Sequence, residues 1–94
     1  MLFTETSGCF SPGLLVATPG LLEQVPHEEI LAAYTRHLNC DWGDVSDEDK
    51  QNNDLALQHG ERLLSAYRSK AGVRFWIITE ADRSATTCLL PKEY

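Results

Sequence analysis

Within one short stretch, His37, Cys40, Asp41 and Asp44 offer nitrogen, sulfur and oxygen donors. H-x-x-C spacing suits a metal pair, and Cys with His suits zinc. Zinc motifs come as two such pairs, however, and no second pair follows. Cys88 or His59 would have to be supplied by the fold. The competing reading makes Cys40 a small buried residue at a helix end and places His37 on a polar helix face. The carboxylates of "DWGDVSDED" could hold a hard cation. A calcium loop needs Gly at its sixth position, and counting from Asp41 puts Gly43 at the third. A magnesium-dependent nuclease or hydrolase using His37, Asp41 and Asp44 is the enzymatic alternative. Helix capping explains Asp47, Glu48 and Asp49 without any metal.

A second polar group is "TEADRSATT", with Glu80, Asp82, Arg83, Ser84 and Thr86. No histidine lies near Ser84 in sequence, and there is no G-x-S-x-G context. A polar hairpin turn, with Asp82 bonding its own backbone and pairing with Arg83, accounts for these residues. No phosphate loop or dinucleotide fingerprint occurs, so no cofactor is expected. Trp42 needs its own explanation. Beside a glycine in an acidic loop, it either plugs the edge of a core or anchors a partner.

The elements that position these residues follow from patterning. Residues 13–18, "GLLVAT", predict a short buried strand. Thr18 and Pro19 then predict a helical turn ended by Pro26. A helix from "PHEEI" carries Glu28 and Glu29 in its first turn. It repeats Ile30, Tyr34 and Leu38 on one face, and Asn39 is its expected left-handed stop. Ser46 with Asp49 predicts a capping box for a helix running to about His59, closed by Gly60. Its apolar face is thin: Leu55, Ala56 and Leu57. Residues 62–69, 73–80 and 85–90 predict an antiparallel meander, with 73–80 central because it is apolar on both sides. The expected class is α+β: a small antiparallel sheet, made of the three-stranded meander plus a short N-terminal edge strand, packed with two main helices.

Ninety-four residues predict one domain. Fourteen acidic against eight basic side chains give a formal charge of −6, and the basic ones are dispersed. Direct nucleic-acid binding needs clustered Lys and Arg, so a basic protein or nucleoprotein is the better partner. Three widely spaced cysteines are no disulfide framework, which predicts free thiols in a reducing, cytoplasmic setting. The first thirteen residues lack a basic region and a long apolar run, so no signal peptide is expected. No apolar segment is long enough to span a membrane.

"RHLNCDWGDVSDEDKQNND", "RLLSAYRS" and "FWIITEADRSATTCLLPKEY" together resemble a family of short bacterial proteins carried on plasmids, prophages and conjugative elements. The shared pattern runs from DWGD through EDK, SAY and WIITEADRS to P-x-EY, over residues 36–94. Some members bear the name of a type I restriction subunit, which would require a cofactor-binding motif that this chain lacks. The resemblance implies a setting. Small acidic proteins of mobile elements are often inhibitors of host defence, similar in size and charge to anti-restriction and anti-CRISPR proteins. It implies a binding protein that offers carboxylates to a nucleic-acid-targeting defence complex. The contact residues would be Asp41, Asp44, Asp47, Glu48 and Asp49, with Trp42 as an anchor and Glu80 and Asp82 on a second loop. A regulatory partner of a conjugation or replication protein is a further alternative. The oligomeric state is left open by the sequence.

Overall fold

The computed structural model describes residues 8–94. The expectation that no signal peptide is present rests partly on residues 1–7, which lie outside the described residues.

The chain order is β1 (Leu14–Ala17), α1 (Pro19–Gln24), α2 (His27–Leu38), α3 (Asp47–His59), β2 (Leu63–Arg68), β3 (Arg74–Thr79), β4 (Ala85–Leu89) and a final 3-10 turn, Pro91–Glu93. The class is α+β, with a four-stranded sheet in the order β1-β4-β3-β2. The meander is as expected. β3 pairs antiparallel with both β2 and β4 and is central among these three.

The expected all-antiparallel sheet is corrected at β1, which pairs with β4 in parallel, Leu14 opposite Ala85 through Ala17 opposite Cys88. Three helices and two strands intervene, so no turn dictates strand direction. The expectation that 13–18 is buried is also corrected. Leu14 is 69% exposed, and Leu15 and Val16 are exposed too. An apolar run is ambiguous here, because a strand at the sheet edge meets neighbours on one side only.

Pleating sorts the side chains onto two faces. One face carries Leu63, Ser65 and Tyr67 from β2, Phe75, Ile77 and Thr79 from β3, and Thr86 and Cys88 from β4, all buried. Leu21 and Val25 of the α1 region and Ile30 and Ala33 of α2 close the main core against this face. Phe75 is 1% exposed and belongs to the same cluster as Ile30, with Tyr34 packed beside it. A smaller core joins Trp42, Ala56 and Leu63 under α3. On the opposite face Trp76 is half-buried against Tyr94, with ring centroids 5.7 Å apart.

The N-cap contacts read from the sequence are in place, but among the described residues the Asp49 carboxylate does not take the Ser46 N–H, so the expected capping box is only half formed. Thr18 accepts from the Leu21 N–H at 3.2 Å, and Ser46 accepts from the Asp49 N–H at 3.1 Å. Gly60 closes α3 at φ +69°. Two further details differ. α2 ends through Cys40, at φ +64°, while Asn39 stays at φ −98°. The buried face of α3 is Asn53 and Ala56, and Leu55 is 54% exposed.

Candidate functional site

The acidic stretch begins as a device for sealing the sheet. β2 is an edge strand, so the N–H and C=O groups of alternate residues point away from β3. The backbone of residues 42–44 runs alongside: the Ala66 N–H donates to the Trp42 carbonyl at 3.1 Å, and the Asp44 N–H donates to the Ala66 carbonyl at 2.7 Å. Asn53 does the same for Leu64, its amide donating to the carbonyl at 2.8 Å and accepting from the N–H at 3.1 Å. Gly43 is required by this approach. Its φ is +75°, and a Cβ there would lie 2.0 Å from the Ala66 oxygen.

Asp41 holds the loop to α2. Its carboxylate takes a two-pronged contact from Arg36, at 2.7 and 3.2 Å, and accepts from the Gly43 N–H at 3.2 Å. The Arg36 hydrogen bond, chiefly, holds its pKa below the ordinary carboxylate value. Its carbonyl accepts from the Tyr67 hydroxyl at 2.6 Å. Trp42 is 3% exposed and donates its indole N–H to Asp54 at 3.0 Å. It plugs the core edge, and its ring is not offered to a partner.

Asp44, Asp47, Glu48 and Asp49 are exposed. Among the described residues the one ion pair is Arg36–Asp41, so none of these four carboxylates has a cation within salt-bridge distance there. The last three sit in the first turn of α3, where the helix dipole favours negative charge. Asp44 precedes the helix.

The metal-ligand set does not assemble. His37 is fully buried, which corrects its expected place on a polar helix face. Its helix turns it inward seven residues after Ile30, on the same side. Nδ1 meets the Ser65 hydroxyl, and Nε2 meets the Thr79 hydroxyl at 2.8 Å. Thr79 meets Thr86 at 2.7 Å, and Thr86 donates to the Pro12 carbonyl at 2.7 Å. Phe10 and Trp42 close over the ring edge-on. Burial, with Arg83 adding repulsion, lowers the His37 pKa to about 4. Among the described residues no three of His, Cys, Asp and Glu are grouped to hold a metal ion.

The second loop is a turn. Asp82 accepts from the Ser84 N–H at 2.9 Å, and hydrogen bonding by Ser84, its side chain first and its N–H second, lowers the Asp82 pKa. Arg83 does not take up the expected pairing with Asp82. At φ +60° its guanidinium donates to the Glu61 and Glu80 carbonyls, at 2.7 and 3.1 Å, and lies over Phe10. The Glu80 and Asp82 side chains are exposed. The C-terminal P-x-E-Y latches the chain end: Glu93 accepts from the Thr18 hydroxyl at 2.6 Å and from the Leu90 N–H at 2.8 Å. Tyr94 receives Arg62 both on its hydroxyl and over its ring.

Most residues that carry the sequence pattern thus have a structural task. Asn53 and the His37–Ser65–Thr79–Thr86 chain were missed in the sequence. A signal existed: Ser65, Thr79 and Thr86 are hydroxyls at inward positions of three consecutive strands, which calls for a polar partner on the covering helix. Compared with protein-family models, curated proteins and solved structures, the chain has no match.

Proposed function

We propose that this is a small cytoplasmic binding protein whose acidic surface engages a basic partner, and that the partner is a host nucleic-acid-targeting defence complex of the CRISPR or restriction type. The observation that carries the reading is the group Asp44, Asp47, Glu48 and Asp49, exposed and without a cation in reach among the described residues. Fixed carboxylates on a capped helix start can occupy a groove built for phosphates, and such charge steers encounter with a basic surface. The choice of a defence complex rests on the resemblance in setting, size and charge. Asp41 and Trp42 drop from the contact set because Arg36 and the core already occupy them. Glu80 and Asp82 form a secondary acidic edge.

The hydrolase alternative finds no support in the geometry. His37 has both nitrogens engaged in the core, and the Asp41 carboxylate is held by Arg36.

The test is inhibition of DNA cleavage by a panel of purified CRISPR effectors and restriction enzymes. The expected result is inhibition of at least one, weakened by salt and by Asp44→Asn with Glu48→Gln. Inhibition of none, or inhibition indifferent to both salt and the double variant, would overturn the reading.

A further inference from the structure

The two edges of the sheet are treated differently. At β2, the Ala66 N–H and C=O are taken by residues 42–44, and those of Leu64 are taken by Asn53. At β1 the inward N–H groups are used, Leu14 to the Ser84 carbonyl and Thr18 to the Cys88 carbonyl, each at 3.0 Å. Strand alternation therefore points the N–H and C=O of Leu15 and Ala17 outward. No hydrogen bond to these outward groups is formed among the described residues. Exposed edges are ordinarily blunted by charge, proline or a covering segment. "GLLVAT" contains no charge and no proline.

Around this edge the surface is apolar. Leu14, Leu15, Val16, Leu22 and Leu31 are the exposed large aliphatics there, and a groove of about 240 Å³ runs between Leu15, Leu22 and Leu31. We infer that β1 pairs with β1 of a second copy of this chain, antiparallel about a two-fold axis at Val16, to make a continuous eight-stranded sheet.

Three features favour a second copy as the occupant. The first is self-complementarity. With Val16 on the axis, Leu15 lies opposite Ala17 of the other copy, and the outward groups of both residues exchange hydrogen bonds in an isologous pair. The second is charge. Each chain carries −6, so copies must associate through a surface poor in charge. The β1 edge is such a surface, and the acidic start of α3 belongs to the opposite, β2 side of the sheet. The proposed axis puts the two acidic faces at the far ends of the dimer. The third is area. Leu14 and Val16 on one face of the strand, and Leu15 with Leu22 and Leu31 on the other, are exposed apolar surface that edge pairing would cover towards the roughly 800 Å² that each partner of a standard interface buries. The backbone of β1 and the flanks of α1 and α2 extend the contact beyond those side chains.

Sedimentation equilibrium from low micromolar concentration upward tests this. The parent should approach dimer mass. Val16→Lys, which sets two ammonium groups across the axis, should remain monomeric with an unchanged circular dichroism spectrum. If that variant fails to fold, Leu15→Pro replaces it, since it removes an outward N–H and the Leu15 side chain at the proposed seam while leaving the inward hydrogen bonds of Leu14 and Thr18 in place. A second measurement fixes the register. Non-bonded antiparallel pairs hold Cα atoms about 4.5 Å apart, within the roughly 4.4–6.8 Å span of a disulfide. In a Cys9→Ser background, Val16→Cys should therefore oxidise to a covalent dimer. A monomeric parent at all concentrations, a dimer that survives Val16→Lys or Leu15→Pro, or no cross-link through Val16→Cys would overturn the inference. None of these outcomes bears on whether the acidic face inhibits a defence complex.

Discussion

At the scale of single residues, His37 is the most constrained side chain, and its protonation state follows from hydrogen-bond direction. The Pro12 carbonyl can only accept, so Thr86 donates to it. Thr86 then accepts from Thr79, and Thr79 accepts from His37. Nε2 must carry the proton, and Nδ1 accepts from Ser65. Nitrogen-15 NMR should show the Nε2–H tautomer, still neutral at pH 5. A midpoint near 6.5, or the Nδ1–H form, would contradict the chain. Stability should follow. The folded pKa of about 4 lies below the ordinary 6.5, so between these values the unfolded chain binds a proton that the folded one does not. This contribution is complete above pH 6.5, falls as pH drops towards 4, and changes no further below that. Two and a half pKa steps correspond to about 3 kcal/mol, which denaturant unfolding at pH 7 and pH 4 would register after subtracting the same difference in a His37→Gln variant. Cysteine reactivity should be ordered as well. Burial pushes Cys88 up to about 12, and burial together with Cys9 does the same to Cys40, so both are poor thiolates. Cys9 is exposed. Thiol labelling of the native protein should modify Cys9 first and Cys88 last. Rapid labelling of Cys88 would mean that the main core opens readily.

At the scale of elements, what was legible in the sequence was what neighbours in sequence decide. Ser46, Thr18 and Gly60 act within their own turns, and a β3 that is apolar on both sides names its own central place in the meander. The parallel pairing of β1 was not legible, because it depends on a partner 71 residues away in register, Leu14 opposite Ala85. Nor was the burial of His37, whose partners Ser65 and Thr79 lie 28 and 42 residues distant. In the acidic stretch, plugging of the core edge was one of the two readings open for Trp42, but its hydrogen bond to Asp54 and the one the Asp41 carbonyl accepts from Tyr67 were not legible. Two glycines make the contrast testable. Both Gly43 and Gly60 have positive φ, which costs a non-glycine residue about 1–2 kcal/mol. A Cβ at Gly60 meets nothing within 4 Å, whereas one at Gly43 strikes the Ala66 oxygen and the Tyr67 ring. Gly60→Ala should therefore lose about 1 kcal/mol, and Gly43→Ala clearly more, because it must also part the loop from β2. Equal losses in thermal or denaturant unfolding would show that the loop does not seal that edge.

At the scale of the whole molecule, charge is distributed by task. Arg36 and Asp41 are committed to each other, Asp54 to Trp42, and Glu93 to the chain end. Among the described residues, no helix is long and apolar enough to cross a membrane. The negative charge left over at the start of α3 is what a partner would meet. Neutralising it needs care, because Asp47, Glu48 and Asp49 also favour the helix dipole by about 0.3–1 kcal/mol each at low salt. Asp44 lies outside the helix, so Asp44→Asn should leave the melting temperature unchanged. Asp41→Asn should lower it, since it breaks the Arg36 contact that depresses the Asp41 pKa. If the acidic face steers association, Asp44→Asn with Glu48→Gln should slow binding to the inhibited defence complex more than it speeds release. The difference from the parent should shrink as salt screens charges beyond about 8–10 Å near physiological strength. Surface plasmon resonance at low and high salt separates the two rates. A change confined to dissociation and insensitive to salt would mean that these carboxylates make a short-range contact instead of a steering field. No change in either rate would return Asp44 and Glu48 to the solvated start of a helix.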